Sequence, residues 1–305
     1  MTQQALIPTE QQQREIANLV LDSLDSEHSK RAYGKALSDF AIWYEEQGRP
    51  GLSKRTVQRY KAMLAESGLS PATVNLRLSA IRKLVTEAAD NGLLDPNVAA
   101  AIGRVKGIKT AGVRLGNWLD REQAQALINA PNPRTLKGAR DRAILAILIG
   151  TGIRRSEAAR LAFDHIQQRE GRWVILNLVG KRKRIRTIPM PSWAKAAIDH
   201  WTAKAGISEG RIFRSFRRGD RISGQSMTAQ AIYDVVKEYS EALDLDVAAH
   251  DTRRTYAKLA EKGGADLRQI QLSLGHASIK TTERYLGTEQ DLVDAPCDRL
   301  GLRLE

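Results

Sequence analysis

The 305-residue sequence predicts a mainly α-helical protein with one small antiparallel β-sheet, divided into two domains. Three observations predict this. Apolar residues recur at helical spacing through most of the chain. Two β-rich runs, Arg172–Val179 and Arg184–Ile188, flank a tight turn that begins at Gly180. Between them and the N-terminal helices, the stretch Lys106–Asn117 carries three glycines, no acidic residue and no apolar periodicity, so it reads as an interdomain linker. The expected organisation is a helical domain over residues 1–105, a linker over 106–117 and a second domain over 118–305.

In the first domain, Thr9 and Gln12 form a capping-box pattern ahead of Ile16, Leu19 and Val20 at helical spacing. A second helix is expected to open at Ser29, with Tyr33, Leu37, Phe40 and Tyr44 on one face and Gly48 and Pro50 ending it. A third spans Lys54–Ser67. A fourth spans Pro71–Asn91, with Ser70 as N-cap, Pro71 at the first helical position and Val74, Leu78, Ile81 and Val85 as its buried stripe. Arg77, Arg82 and Lys83 lie off that stripe, as expected of a solvated charged face.

In the second domain, Asp120 caps a helix running to Asn129, and Lys137–Ile149 forms an apolar helix. The hairpin follows, stopped by Pro189. Helices resume over Ser192–Ala205, Thr228–Leu243, Asp251–Lys262 and Asp266–Leu274, and Gly275 and Ser278 punctuate the chain before a last short helix.

Composition narrows the function. Lys and Arg number 48 against 35 Asp and Glu, a formal charge of +13 that draws a protein toward polyanions, because each neutralised phosphate releases condensed counterions. No apolar run reaches the ~20 residues that span a bilayer, and the opening decapeptide has no signal-peptide core, so a cytoplasmic protein without membrane contact is expected. The single cysteine, Cys297, has no intrachain partner, and the five histidines show neither Cys partners nor an H-E-x-x-H spacing, so no metal site is expected.

Four clusters carry chemistry. In Gly150-Thr-Gly-Ile-Arg154-Arg-Ser-Glu157 an apolar helix breaks at glycines and a new helix begins, so free N–H groups beside an arginine offer a place for a phosphate. At the hairpin turn Lys181, Arg182, Lys183, Arg184 and Arg186 crowd together; a lysine there suits proton donation to a departing oxygen, and a basic turn equally suits gripping a phosphate backbone. In His250-Asp-Thr-Arg253 the two outer residues share a helix face. In Leu274-Gly275-His276…Tyr285, the histidine falls on a turn and the tyrosine toward the end of a short helix. Each cluster alone is also compatible with a surface arginine, a positively charged turn or a packing tyrosine.

Taken in order, the clusters resemble the tyrosine recombinase (phage integrase) family, in its compact two-domain, Xer-like type. That family has an arginine after T-G-[hydrophobic], a lysine in a β-hairpin, H-x-x-R, then L-G-H, and a tyrosine nine residues later. Here these fall on Arg154, Lys181, His250 with Arg253, His276 and Tyr285. Arg155, Arg254 and Lys183 neighbour the assigned positions, and only the motif register chooses between them. The resemblance implies a SAM-like core-binding domain followed by a catalytic domain. It implies a DNA strand-cleaving and rejoining enzyme with Tyr285 as nucleophile, forming a 3′-phosphotyrosyl link and releasing a 5′-hydroxyl. Arg154, Arg253 and His276 would hold the nonbridging oxygens, Lys181 would be the general acid and His250 an assisting base. Neither metal nor ATP is implied, since cationic side chains replace the one and the covalent link stores the energy of the other. The implied partners are duplex DNA with specific recombination sites and three further copies of the chain, a homotetramer on two sites, for integration, excision or resolution of a mobile element. The segment after Tyr285, with Leu292, Val293, Leu300 and Leu302, would dock on a neighbouring subunit or pack on its own domain. Because the first helical domain begins almost at Met1, no arm-binding domain is expected and simple inverted-repeat sites are favoured. Competing readings are a catalytically silent DNA-binding regulator of the same fold, and a type IB topoisomerase-like or hairpin-resolvase enzyme.

Overall fold

The computed structural model describes residues 10–109, 117–179, 185–217 and 219–286, with the backbone alone for residues 10–14, Val179, Arg284 and Tyr285. The Thr9–Gln12 capping pattern, Lys181 and Lys183, and the segment after Leu286 lie outside what is described. The fold is mainly helical with a small antiparallel sheet, as the sequence predicts, and the chain divides into two compact units, Met1–Val113 and Arg114–Glu305.

The first unit holds α1 (Glu10–Asp22), α2 (Glu27–Glu46), α3 (Lys54–Glu66), α4 (Pro71–Asp90) and α5 (Pro96–Gly103). Four of these helices start at a side-chain cap: Ser26, Ser53, Ser70 and Asp95 accept from the N–H groups of Ser29, Thr56, Thr73 and Asn97. Helix α2 therefore opens at Glu27, two residues before the expected Ser29, whose N–H is the group that Ser26 caps. Helix α5 was not anticipated: Ala99, Ala100 and Ala101 give it no apolar stripe, although Asp95-Pro96 repeats the cap-then-proline signal of Ser70-Pro71.

Helix α4 is the centre of this unit and packs against the other four helices. Val74, Leu78 and Ile81 are 0% exposed and Val85 1%, each burial contributing roughly 1.5–3 kcal/mol. Phe40, Trp43 and Tyr60 pack with ring centroids 4.9–6.0 Å apart. Of the basic residues of α4, Arg77 and Arg82 are tied to other parts of the unit, and Lys83 keeps to the solvated face expected, paired along its own helix. Arg77 is paired with Asp39 on α2 at 2.7 Å, Arg82 donates to the Val105 carbonyl and Lys83 reaches Glu87 at 3.6 Å. The first residues of the expected linker are also held down. Asn75 donates to the Ile108 carbonyl at 2.9 Å and accepts from its N–H at 2.8 Å, and a side chain at Gly107 would come within 2.4 Å of the same amide. Residues 110–116 of that stretch are outside the description.

The second unit runs α6 (Arg121–Asn129), α7 (Leu136–Thr151), α8 (Arg155–Ala158), a three-residue 3-10 turn, β1 (Ile166–Arg169), β2 (Arg172–Val179), β3 (Ile185–Pro189) and α9 (Ser192–Ala205). It continues through β4 (Ser215–Arg217), β5 (Arg221–Ser223), α10 (Ala229–Ala242), α11 (Asp251–Lys262), α12 (Leu267–Leu274) and α13 (Ile279–Leu286). From Ala143 to Ile149 helix α7 is apolar around its circumference, the mark of a helix enclosed on all sides. Ile144 through Leu148 are all 0% exposed, and α6, α8, α9, α10 and α11 pack around it. Its one fully buried carboxylate, Asp141, accepts from Lys137 at 2.9 Å, Arg140 at 2.8 Å and the Tyr239 hydroxyl at 3.2 Å, which ties α7 to α10.

The predicted hairpin is present as β2 and β3, and β1 adds a third antiparallel strand, giving the order β1-β2-β3. Strand β1 and the β4–β5 hairpin were not anticipated, because runs of three or four residues give too little alternation to read. Among the described residues no helix is long and apolar enough to cross a membrane.

Candidate active site

The site grows from two glycine-terminated helices. Helix α7 ends at Gly152, φ +62°, where a Cβ would fall 2.6 Å from the Tyr256 ring. Helix α12 ends at Gly275, φ +63°, where a Cβ would fall 2.9 Å from the Arg186 side chain. At both positions the left-handed turn and the close neighbour require glycine. The turns bring the chain into one neighbourhood from α8, β3, α11 and α12.

Arg253, on the first turn of α11, lies between these helix ends. It is 1% exposed, its Nη1 donates to the Gly152 carbonyl at 2.6 Å and its Nη2 donates to the Leu274 carbonyl. A guanidinium carries five N–H donors, so the two carbonyls use part of its capacity. The neighbouring Arg254 is held along its own helix by Asp251 at 2.9 Å. The H-x-x-R register and the packing thus agree on Arg253 as the inward residue. The other arginine pair divides in the same way: Arg155 sits over the Tyr233 ring, 5.2 Å from its centroid, while Arg154 turns to Glu157.

Glu157 joins α8 to β3. It is 1% exposed and accepts four N–H groups: the Arg154 backbone N–H at 2.7 Å, Arg154 Nη1 at 3.0 Å, and a bidentate fork from Arg186, with Nη1 at 3.0 Å and Nη2 at 2.8 Å. Burial pushes this carboxyl up, but the Arg186 fork and the Arg154 contacts outweigh it and hold it below the ordinary carboxylate value. Arg186 also donates through Nε to the Ser273 carbonyl at 3.0 Å, one turn before His276. Two expectations change here. The start of α8 is not an open phosphate cradle, because the helix has four residues and Glu157 takes the Arg154 N–H. Arg186 is not a loose member of the basic turn: it is 9% exposed and pins β3 to both α8 and α12. Neither role was legible in the sequence, where Glu157 reads as an ordinary helix-start carboxylate and Arg186 as one basic residue among five.

His276 follows Gly275 on the turn. Gln271 locks its backbone, accepting from the His276 N–H at 3.2 Å and donating to its carbonyl at 3.1 Å. Its Nδ1 lies 2.9 Å from Oγ1 of Thr282, a fully buried residue on α13. Burial of the ring, then the positive charges of Arg253, Arg154 and Arg186 and the nearby His250, push its pKa down to about 3, so it is neutral at pH 7. His250, at the N-cap position of α11, is also held below its ordinary value, first by the crowding of its ring and then by the charges of Arg254, Arg253 and Arg154, with Asp251 opposing. Arg154, His250, Arg253 and His276 therefore share one electrostatic neighbourhood.

Tyr285 lies on the backbone of α13, one turn beyond Thr282 and next to Leu286, which is 2% exposed among Ala257, Ile270 and Leu274. The Tyr285 side chain, Lys181 and Lys183 are outside the described residues. Among those described, no group of three or more His, Cys, Asp or Glu side chains is assembled to hold a metal ion.

The sequence matches the phage integrase family over residues 117–291 and the phage integrase N-terminal SAM-like domain over residues 17–92. A tyrosine recombinase XerC of Pelobacter propionicus is 32% identical over 273 residues, covering 87% of this chain and 86% of that protein. A tyrosine recombinase of Synechococcus elongatus is 29% identical over 294 residues, covering 91% and 90%. Among solved structures, a post-cleavage complex of the XerH site-specific recombinase bound to a palindromic difH substrate superposes with a TM-score of 0.70 at 19% identity, covering 92% of this chain and 82% of that one. With a family match over more than half its length, the chain belongs to the phage integrase family, the tyrosine recombinases, which cleave and rejoin DNA.

Proposed function

We propose that the chain recombines duplex DNA at specific sites by conservative strand exchange, with Tyr285 as nucleophile. Its phenolic oxygen attacks phosphorus, the bond from phosphorus to the 5′-oxygen breaks, and the strand is left on the enzyme as a 3′-phosphotyrosyl ester with a free 5′-hydroxyl. Attack by a 5′-hydroxyl from a partner duplex reverses the step, so no external energy source enters. A phenol of pKa near 10 needs help at neutral pH. In this reading His250 assists the departure of its proton, Lys181 or Lys183 gives a proton to the leaving 5′-oxygen, and Arg154, Arg253 and His276 bind the nonbridging oxygens as charge builds.

The observation that carries the reading is Arg253, buried between the Gly152 and Leu274 carbonyls directly before the His276 turn, with the positive charges of Arg253, Arg154 and Arg186 acting on the His276 ring. A site this positive stabilises a dianionic phosphorane and disfavours a cationic imidazole, which leaves His276 as a neutral hydrogen-bond donor. In the same reading residues 1–105 form a core DNA-binding domain, residues 118–305 the catalytic domain, and four copies assemble on two sites. The XerH complex, bound to a palindromic difH substrate, supports paired inverted half-sites for this chain.

The test is incubation with nicked duplex sites, in which the cut strand diffuses away and traps the intermediate. The parent protein is expected to give a covalent protein–DNA adduct that Tyr285→Phe does not form. Relaxation of supercoiled plasmid without paired sites would instead point to topoisomerase-like action, and tight binding with no adduct to a silent regulator.

A further inference from the structure

We propose that Thr282 is a positioning residue that fixes the tautomer of His276 and, through the same bond, seats the tyrosine-bearing helix on the site. The proposal rests on the reading of His276 as a donor to the phosphate.

Thr282 is 0% exposed. Among the described residues, Nδ1 of His276 is the only hydrogen-bond partner of its hydroxyl, at 2.9 Å. A buried hydroxyl that donates to nothing costs about 1–3 kcal/mol, so the O–H of Thr282 is directed at Nδ1. His276 is neutral and carries one ring proton. With Nδ1 accepting, that proton resides on Nε2, so the ring acts through Nε2 as a donor and not as a base. The reverse arrangement, Nδ1–H donating to Oγ1, would strand the Thr282 hydroxyl hydrogen in the packed contact among α11, α12 and α13.

Geometry gives the bond a second consequence. Among the described side chains of α13, Thr282 and Leu286 are the buried ones, one turn apart, and Tyr285 follows Thr282 by three positions on that helix. The bond that sets the donor thus also sets the register of the helix carrying the nucleophile against the turn carrying His276. Serine preserves this arrangement, whereas valine preserves only its shape.

The experiment uses the full chain labelled with 15N-histidine. It contains five histidines, and the His276 signals are assigned by their loss in His276→Gln. Long-range 1H–15N spectra at pH 7 are expected to show a pyrrole-type Nε2 and a pyridine-type Nδ1 for His276 in the unmodified protein. Thr282→Val is expected to mix or reverse that pattern and to slow single-turnover cleavage of nicked duplex by on the order of tenfold to a hundredfold, within the loss caused by removing one oxyanion donor. Thr282→Ser is expected to restore both. A proton on Nδ1 in the unmodified protein overturns the proposal without any variant, as does parental cleavage by Thr282→Val. Should the valine variant not fold, the tautomer and the Thr282→Ser rate still decide. Failure of the underlying reading looks different: His276→Gln would then cleave at the parental rate whatever the tautomer.

Discussion

Replacing Glu157 by Gln removes the charge that two guanidiniums share while keeping the side-chain volume. In the native site both carboxylate oxygens are acceptors, one taking Arg154 Nη1 and Arg186 Nη1 at 3.0 Å each, the other taking the Arg154 N–H at 2.7 Å and Arg186 Nη2 at 2.8 Å. The amide would present an NH2 group to one of these donor pairs. It would also leave Arg186, 9% exposed, buried without its counter-charge. Breaking a buried pair from one side costs about 3–5 kcal/mol, and about 3 is expected here because the amide keeps one acceptor. For a unit of this size that lowers Tm by about 6–12 °C, measurable by circular dichroism. The pH dependence follows from the sign of the shift. Glu157 titrates lower in the folded chain than unfolded, so its contribution is present above the unfolded value of about 4.3 and lost as pH falls through the folded one. The urea-midpoint gap between parent and variant should therefore be full at pH 7 and narrow progressively as pH falls below the unfolded value toward the lower folded one. Cleavage of nicked duplex should fall more than DNA retention, because Arg154 loses its anchor while the DNA-contacting surface elsewhere is untouched. A Glu157→Gln variant within about 1 kcal/mol of the parent at pH 7, or one whose deficit persists in acid, would refute the reasoning.

Three further outcomes are expected. Gly275→Ala should destabilise by about 1–2 kcal/mol and depress cleavage, since its Cβ meets Arg186 at 2.9 Å in a left-handed turn, and urea unfolding beside a cleavage assay checks both. His276 should show no protonation between pH 8 and pH 5 in an NMR titration, because its pKa is pushed down to about 3, and any midpoint near 6.5 would contradict the site electrostatics. Of Lys181→Ala and Lys183→Ala, the one that removes the general acid should lose cleavage on ordinary duplex and recover it on a duplex whose bridging 5′-oxygen is replaced by sulfur, since a thiolate leaves without a proton; a basic residue that only grips the backbone gives no such recovery.

Much of this molecule could be read from the sequence because its signals are local. Cap residues such as Ser70 and Asp120, the uninterrupted apolar run of α7 and the glycines at 152 and 275 each announce themselves within one turn of chain. Short elements escaped for the same reason: α5 is eight residues long and buries only Ala99 and Ile102, too few to read as a stripe, and β1, β4 and β5 are three or four residues long. At the site, the registers T-G-x-R and H-x-x-R chose Arg154 and Arg253, and the packing sends Arg155 to Tyr233 and Arg254 to Asp251. The partners of those side chains were hidden because they are distant in sequence. Arg186 reaches Glu157 across 29 positions and Ser273 across 87, and such contacts leave no periodic trace.

The central claim, that Tyr285 attacks the phosphodiester, is tested most directly by proteolysis and mass spectrometry of the trapped protein–DNA adduct after nuclease trimming. The expected result is a nucleotide remnant linked through its 3′-phosphate to the peptide containing Tyr285. A remnant on the peptide containing Tyr256, whose ring packs at the end of α7 beside the same site, or one linked through a 5′-phosphate, would contradict it.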